Sequence, residues 1–304
     1  MQALMESVPN FSEGRREDVI VAIEQAANSV SGVRVLDRHS DTDHNRTVLT
    51  LVGPPNQLQE SVYRAMERAT ELIDLRHHDG AHPRVGATDV VPFIPLAGTT
   101  MDDAINAARQ LGQRVADKLK IPVYFYEEAA IRPDRQNLEQ VRRKGFEELR
   151  DRIQTDEDRS PDLGPYAIHE SAGAVIIGAR GPLIAYNIYL NTNDLRIAKR
   201  IARAIRNSSG GLRYVKAMGI DIPDRGQVQV SMNLTNFHRT AVHTVFNLVR
   251  DEAQAYGVSI SESEVVGLIP LAALADAGRY FLRLHEFKDD QILELKLLEN
   301  LGAE

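Results

Sequence analysis

Hydrophobic and polar positions in the first part of the chain follow two alternating periods. Stretches in which every second residue is apolar indicate strands, and stretches with a period near 3.6 residues indicate amphipathic helices. The predicted strands cover residues 4–9, 33–38, 46–52 and 88–96, and the predicted helices cover residues 15–29 and 55–74. The predicted order of elements is therefore β-α-β-β-α-β.

The second part of the chain repeats this order. Strands are predicted over residues 183–190, 212–218, 227–234 and 258–268, and helices over residues 194–207 and 240–256. The motif Gly32-Val33-Arg34 is echoed by Gly211-Leu212-Arg213, and residues 90–96 are echoed by residues 265–271. Repeats about 175 to 180 residues apart are typical of two sibling domains.

The repeated order predicts an α+β fold of two duplicated ferredoxin-like subdomains, residues 1–180 and 181–304. Helices cover only one face of each predicted sheet, so packing the two open faces together, with the helices outside, would bury both. Such packing would form a crevice between the subdomains, where ligands often bind. A helix over residues 99–120, a strand over 122–126 and a charged region over 132–159 precede the repeat, and a closing helix is expected over 289–301.

Composition narrows the class of protein. The chain has 304 residues, a formal net charge of −7 and no cysteine. The negative charge argues against nucleic acid as the main partner, because binding phosphates requires a basic surface. The absence of cysteine excludes disulfides and thiolate nucleophiles and fits a reducing compartment. No signal peptide is visible, and no apolar run reaches the ~20 residues of a membrane span. We therefore expect a cytoplasmic protein that does not bind membranes.

The loop over residues 76–89 carries the densest group of titratable side chains. It contains three histidines, two aspartates and two arginines, and it is interrupted by Gly80, Pro83 and Gly86. Histidine is the side chain that transfers protons near neutral pH, and active sites are often polar loops held against buried strands. We predict a functional site here rather than a solvated turn.

Within this loop, two chemistries compete. His78 and His82 have the i, i+4 spacing of a helical zinc pair, but Gly80 and Pro83 disfavour a helix and no third ligand stands at a recognisable spacing. His82 as a general acid and base is the better hypothesis, with His78, Arg84 and Asp89 as supporting residues. The structural alternative is that His82 only hydrogen-bonds to the loop backbone.

Two other segments are candidates for binding. The first, residues 173–187, combines small residues with Arg180, Tyr186 and Asn187, which suit a flat ligand that carries a carboxylate, although a tight turn between strands would look similar. The second is the segment 8–14. There Ser12 can cap the following helix, or Asn10 and the helix N-terminus can face an anion.

Several of these motifs resemble the formiminotransferase family. The resemblance extends over nearly the whole chain. It rests on His78-x-Gly80-x-His82-Pro83-Arg84-x-Gly86-Ala87, on residues 8–14, on Gly178-Ala179-Arg180 with residues 183–187, and on residues 229–234 and 266–271. The chain is similar to the stand-alone form, without the cyclodeaminase domain that follows in the bifunctional form.

The resemblance implies transfer of the formimidoyl group from N-formimidoyl-L-glutamate to tetrahydrofolate, a co-substrate, in histidine degradation. It implies a homodimer, no metal, and His82 as the catalytic residue. It also implies that one segment contacts folate, namely Gly178, Ala179, Arg180, Gly181, Pro182, Leu183, Ile184, Ala185, Tyr186 and Asn187.

Several alternatives stay open at this point. The donor could be formimidoylglycine, and formyl-folate could be a further substrate. The chain could also be a non-catalytic folate- or ligand-binding module, or a histidine-based metallohydrolase. Because both expected substrates carry carboxylates and the chain is net negative, we expect a local positive lining from the arginines nearest the motifs, Arg76, Arg84 and Arg180.

Overall fold

The computed structural model describes residues 3–80 and 83–301. By their internal contacts, these residues form two compact units that divide between Arg180 and Gly181. His82, the predicted catalytic residue, lies outside the described residues.

The first unit contains one sheet and five α-helices in its described part. The strands are β1 (Met5–Ser7), β2 (Asn10–Phe11), β3 (Arg34–Asp41), β4 (Arg46–Gly53), β5 (Thr88–Pro95), β6 (Val123–Glu127) and β7 (Val175–Ala179). The helices are α1 (Glu17–Asn28), α2 (Pro55–Leu72), α3 (Met101–Lys118), α4 (Leu138–Val141) and α5 (Gly145–Arg152).

The order of the strands in this sheet follows from their pairings. Both β1 and β2 pair with β4 on one side and β5 on the other, so together they act as the first strand of the repeat. Across the sheet the order is β3, β4, the β1–β2 pair, β5, β7 and β6. The pairings from β3 to β5 are antiparallel, whereas β7 pairs in parallel with both β5 and β6. Strand β7 was not predicted from the sequence.

Alternating residues of this sheet enter two different cores. Val91 and Phe93 of β5 face the helices α1, α2 and α3, which form the larger core. Val90 and Tyr126 point to the opposite face and pack against residues of α4 and α5. These two short helices add a helical layer that the charged composition of residues 132–159 did not reveal.

The second unit repeats the arrangement with four strands. These are β8 (Ile184–Leu190), β9 (Val215–Ile222), β10 (Gln227–Leu234) and β11 (Ile260–Val266), in the order β11-β8-β10-β9 with every pairing antiparallel. The helices are α6 (Leu195–Ile205), α7 (Val242–Ala255), α8 (Leu271–Leu282) and α9 (Leu293–Leu301). Helix α8 was not predicted.

The two units thus share the order β-α-β-β-α-β, and in both the first and third strands of the repeat lie side by side at the centre of its four strands. A mixed α+β protein with two sheets is confirmed. The face-to-face packing of the sheets stays a prediction. Within residues 3–80 and 83–301, no helix is long and apolar enough to cross a membrane.

Candidate active site

The loop that follows α2 and leads into β5 is held by close backbone contacts. A side chain at Gly86 would overlap the carbonyl oxygen of Ala174, and one at Gly80 would overlap that of His44. Leu75–His77 form a short 3-10 turn, and the N–H of Arg76 in this turn donates to the Asp74 carboxylate. Glycine is required where two backbones approach this closely.

Asn45, in the turn between β3 and β4, ties this loop to the N-terminal segment. Its Oδ1 accepts from the N–H of Gly14 at 2.8 Å, and its Nδ2 donates to the carbonyl oxygen of Asp79 at 2.9 Å. Its backbone has a φ of +48°, a conformation that asparagine tolerates better than most residues. Asn45 was not among the residues predicted from the sequence, although the composition of Asp43-His44-Asn45 is typical of a turn.

His78 is fixed by Asn45 in one tautomer. Its Nε2 lies 3.1 Å from the main-chain oxygen of Asn45. Because a carbonyl oxygen only accepts, Nε2 carries the proton and Nδ1 has the lone pair. Burial lowers the pKa of His78, and the positive charge of Arg84 lowers it further. The hydrogen bond to Asn45 acts in the opposite direction but does not cancel these effects. His78 is therefore neutral at neutral pH.

Arg84 and Asp89 organise the C-terminal side of the loop. Nη2 of Arg84 donates to the carbonyl oxygen of His78 and to Oε1 of Glu147, each at 3.0 Å. The Asp89 side chain is only 3% exposed. It accepts from the N–H of Val85 at 2.7 Å and from Nη2 of Arg142, also at 2.7 Å. Arg142 and Glu147 were not predicted, because they belong to the charged region far along the chain.

These side chains line a small, narrow pocket. Burial lowers the pKa of Arg46 and the charge of Arg142 lowers it further, while the charges of Asp89 and Asp41 oppose both effects. The guanidinium of Arg46 nevertheless stays protonated, as arginine does in proteins. The pocket is lined by Ser12, His44, Asn45, Arg46, His78, Arg84 and Asp89. The structure therefore brings His78, Arg84 and Asp89 together around one pocket and adds Arg46.

The N-terminal segment supports the pocket in a different way from the predicted one. Ser12 does not cap helix α1, which begins at Glu17. Its hydroxyl donates instead to the carbonyl oxygen of Gly86 at 2.7 Å. Glu13 accepts from two backbone N–H groups, and these bonds lower its pKa although burial opposes them. The Nδ2 of Asn10 donates to the carbonyl oxygen of Val8.

Arg76 does not line this pocket. Its guanidinium forms ion pairs with Asp74 at 2.6 Å and with Glu170 at 3.1 Å, and about half of its side chain is exposed. Its charge is therefore compensated on the surface. The expectation that Arg76 contributes to a positive lining is wrong for this pocket.

In the segment with predicted folate contacts, Gly178 and Ala179 end strand β7, and Arg180 follows the strand. Gly178 packs against the ring of Tyr126 so closely that a side chain there would overlap it. The N–H of Arg180 donates to the carbonyl oxygen of Phe93 at 3.0 Å. Burial raises the pKa of Glu6, and the nearby charge of Arg180 opposes this rise. Arg180 thus lies within electrostatic reach of a partly buried carboxyl group.

Residues 184–187 of the segment begin strand β8 of the second unit, and they alternate between two faces. Ile184 and Tyr186 are buried in the core of this unit, and Tyr186 is only 5% exposed. Asn187 lies on the opposite face, where its Nδ2 and the hydroxyl of Tyr189 both donate to Oε2 of Glu264. Burial leaves Tyr186 no open ring face for stacking, whereas Asn187 remains accessible.

The described residues offer no group of three or more His, Asp or Glu side chains placed to hold a metal ion. The pocket instead combines fixed arginine cations with a neutral imidazole. Such groups bind anions and accept protons, which suits group-transfer chemistry on a carboxylate substrate.

The fold and the site together define an α+β protein of two like units, with a histidine- and arginine-lined pocket in the first. Profiles of two protein families match the chain. The "Formiminotransferase domain, N-terminal subdomain" matches residues 4–180, and the "Formiminotransferase domain" matches residues 185–302. The chain belongs to the formiminotransferase family, which confirms the assignment made from the motifs.

Individual relatives agree with this assignment. The chain is 47% identical to glutamate formimidoyltransferase of Thermoplasma acidophilum, with 97% of each chain covered. It is 43% identical to the protein of the same name from Streptococcus pyogenes, over 98% of this chain and all of the relative. It is also 42% identical to formimidoyltransferase-cyclodeaminase of Rattus norvegicus, where it covers 92% of its own length and 53% of the relative.

Proposed function

We propose that this protein is a glutamate formimidoyltransferase. It moves the formimidoyl group from N-formimidoyl-L-glutamate to tetrahydrofolate and releases L-glutamate, a step of histidine degradation. The observation that carries the proposal is the identity of nearly half of all residues to curated transferases of that name, over almost their whole length. Tetrahydrofolate is a co-substrate in this reaction, and no metal takes part.

The reaction needs a group that first accepts a proton and later donates one. The N5 amine of tetrahydrofolate attacks the formimidoyl carbon and forms a tetrahedral intermediate, and a base then removes the proton that N5 acquires. The bond from this carbon to the glutamate nitrogen breaks as an acid protonates that nitrogen. We propose His82 for both steps, because one imidazole near its ordinary pKa can act as the base and then as the acid.

The neighbours of His82 in the chain support this role. His78 and Arg84, on either side of it, are each anchored by hydrogen bonds, and Gly86 is locked against Ala174. A loop held at both ends suits a catalytic group, because reactive side chains need fixed positions. We further propose that the predicted segment 178–187 contacts folate through Arg180 and Asn187, with Asn10 as a supporting residue.

A transfer assay tests the proposal. Purified protein is incubated with tetrahydrofolate and either formimidoyl-glutamate or formimidoyl-glycine, and 5-formimidoyltetrahydrofolate is measured by its absorbance. We expect turnover with the glutamate donor. Turnover with the glycine donor alone would correct the substrate. Folate binding without turnover on either donor would instead identify a binding module.

The role of His82 is tested by His82→Ala, with His77→Ala as the matched control. His77 lies in the same loop and is exposed. We expect His82→Ala to lower kcat by about 100-fold or more, since a positioned general base contributes about 10²- to 10⁴-fold. His77→Ala should retain activity, and both variants should still bind folate. Turnover near that of the unchanged protein in His82→Ala would remove His82 from the mechanism.

The oligomeric state and the compartment are part of the same proposal. We propose a homodimer that acts in the cytoplasm, with small-molecule substrates and with neither nucleic acid nor membrane as a partner. The resemblance to the family supports the dimer, and the negative net charge supports the lack of nucleic-acid binding. Light scattering on the purified chain measures the mass, and a monomer at micromolar concentration would contradict the dimer.

A further inference from the structure

Polar side-chain atoms that are buried but have no hydrogen-bond partner cluster around the pocket of the first unit. Among the described residues they include Nδ1 of His78, Nε of Arg84, Oγ1 of Thr88 and Nε of Arg142. Buried polar atoms in folded proteins nearly always have partners, and leaving one without a partner costs about 1–3 kcal/mol. Several such atoms around one pocket indicate a place built for a polar ligand.

The charges around this pocket favour an anion. Arg46 and Arg84 line it, and Arg142 stands beside them through its ion pair with Asp89. Asp89 is the buried carboxylate among these arginines, whereas the Glu147 carboxylate that contacts Arg84 is 57% exposed to solvent. The buried Nε–H of Arg84 is a charged donor that has no hydrogen-bond partner. A ligand carboxylate in the pocket would accept from this N–H group.

The second binding group of the pocket is an acceptor rather than a donor. The proton of His78 is committed to Asn45 through Nε2, so Nδ1 offers a lone pair to a neighbouring N–H. His78 and Arg84 are adjacent, since Arg84 donates to the main-chain oxygen of His78 at 3.0 Å. A ligand that satisfies both has a carboxylate and, close to it, an N–H group.

We propose that this pocket binds the α-carboxylate of the formimidoyl donor, with Arg84 as the carboxylate-binding residue and His78 as the acceptor for the adjacent amidine N–H. The inference rests on the proposed function, in which the donor is a formimidoyl amino acid. In such a molecule the amidine nitrogen is bonded to the α-carbon, two bonds from the carboxyl carbon, so the two groups are as close as the pocket requires. The γ-carboxylate of glutamate has no N–H beside it.

The pocket is also close to the proposed catalytic residue along the chain. His82 lies two residues before Arg84 in the chain, and the Cα atoms of residues i and i+2 are never more than about 7 Å apart. In a donor held by its α-carboxylate, the formimidoyl carbon is bonded to the same nitrogen whose N–H would donate to His78. Arg84 is thus a substrate-binding residue, and His78 both binds and orients the donor.

Steady-state kinetics of Arg84→Gln test the assignment. We expect the KM of formimidoyl-glutamate and of formimidoyl-glycine to rise together, by about 10- to 100-fold, because both donors have the α-carboxylate and lose charge-assisted hydrogen bonds. The KM of tetrahydrofolate should stay unchanged. A rise for the glutamate donor alone would mean that the pocket binds the γ-carboxylate, and no rise for either donor would mean that it binds neither. Both results overturn the proposal.

Two matched variants separate binding from loss of loop structure. Glu147→Gln removes the exposed ion-pair partner of Arg84 but leaves the guanidinium in place, and Arg76→Gln removes a loop arginine that is paired outside the pocket. Both should keep the KM of each donor within about twofold. If Glu147→Gln raised the KM as much as Arg84→Gln, the effect would come from loop anchoring and the proposal would fall.

Calorimetry with unreactive analogues makes the test independent of turnover. We expect N-formyl-L-glutamate and N-formylglycine to bind the unchanged protein, glutarate, which lacks the α-nitrogen, to bind at least tenfold more weakly, and Arg84→Gln to lose the binding of both formyl compounds. This result together with no transfer activity would refute the proposed function and keep the pocket assignment. Transfer activity without any effect of Arg84→Gln on analogue binding would support the proposed function and refute the pocket assignment.

Discussion

Nε2 of His78 donates to the main-chain oxygen of Asn45 at 3.1 Å, and the side chain of Asn45 holds the next residue of the same loop by donating to the carbonyl oxygen of Asp79. Asn45 also accepts from the N–H of Gly14. One side chain in the β3–β4 turn therefore joins three segments that are far apart in sequence. The loop owes its conformation to contacts as well as to its own glycines and proline.

Removing the Asn45 side chain tests this role. Asn45→Ala leaves the N–H of Gly14 and the carbonyl of Asp79 without partners and places alanine at a positive φ, so we expect the free energy of unfolding to fall by about 2–3 kcal/mol. Urea denaturation measures the change. Asn28→Ala is the control, because Asn28 is exposed and makes one long contact of 3.4 Å, and it should cost less than about 1 kcal/mol. Equal costs would contradict the joining role.

The half-buried imidazole of His78 makes the free energy of unfolding depend on pH in one direction. Burial and the charge of Arg84 lower its pKa in the folded protein, whereas in the unfolded chain it titrates near the ordinary value of about 6.5. The unfolded chain therefore takes up the proton first, and the free energy of unfolding falls as the pH drops through about 6.5 towards the folded pKa.

His78→Gln should reduce this loss, because the glutamine amide can still donate to Asn45 and does not titrate. We expect the difference in the free energy of unfolding between about pH 7.5 and pH 5 to be smaller in His78→Gln than in the unchanged protein. His285→Gln is the control, since that side chain is 92% exposed, and it should leave the pH dependence unaltered. A pH dependence in His78→Gln equal to that of the unchanged protein would refute the role of His78.

Two glycine substitutions should have opposite effects. Gly86→Ala would drive a methyl group into the carbonyl oxygen of Ala174, so β5 or β7 would have to move, and we expect a loss of about 3 kcal/mol or more. Gly278→Ala, inside helix α8, meets no atom within 4 Å and should stabilise the protein by about 0.5–1 kcal/mol. Thermal unfolding distinguishes them. A Gly86→Ala protein as stable as Gly278→Ala would show that the close contact is unimportant.

The alternation of faces in β8 predicts which residues of the folate segment matter. If the segment binds folate, Asn187→Ala should raise the KM of tetrahydrofolate about 5- to 20-fold, through a lost hydrogen bond, and leave the KM of the donor unchanged. Tyr186→Phe should leave both KM values unchanged, because the ring is buried in the core. A larger effect of Tyr186→Phe than of Asn187→Ala on the KM of tetrahydrofolate would contradict this assignment of faces.

Most elements were predictable because their patterns are local. The structure has helices at Pro55–Leu72 and Val242–Ala255 and a strand at Gln227–Leu234, close to the predicted ranges. Strand β7 was missed because Val175–Ala179 is buried on both faces and has no alternation. It becomes a strand by pairing in parallel with β5 and β6, which lie about 85 and 50 residues earlier in the chain.

The candidate site divides in the same way. The family, the repeated order of elements, and the loop with His78, Arg84 and Asp89 were predictable from the sequence, because these signals lie within short stretches of the chain. The folded structure was needed to show that Asn45, Arg46, Arg142 and Glu147 meet that loop, and that Tyr186 faces a core while Asn187 does not. These partners come from segments up to about 75 residues away in the chain, which the folding of the sheet and of α4 and α5 brings together.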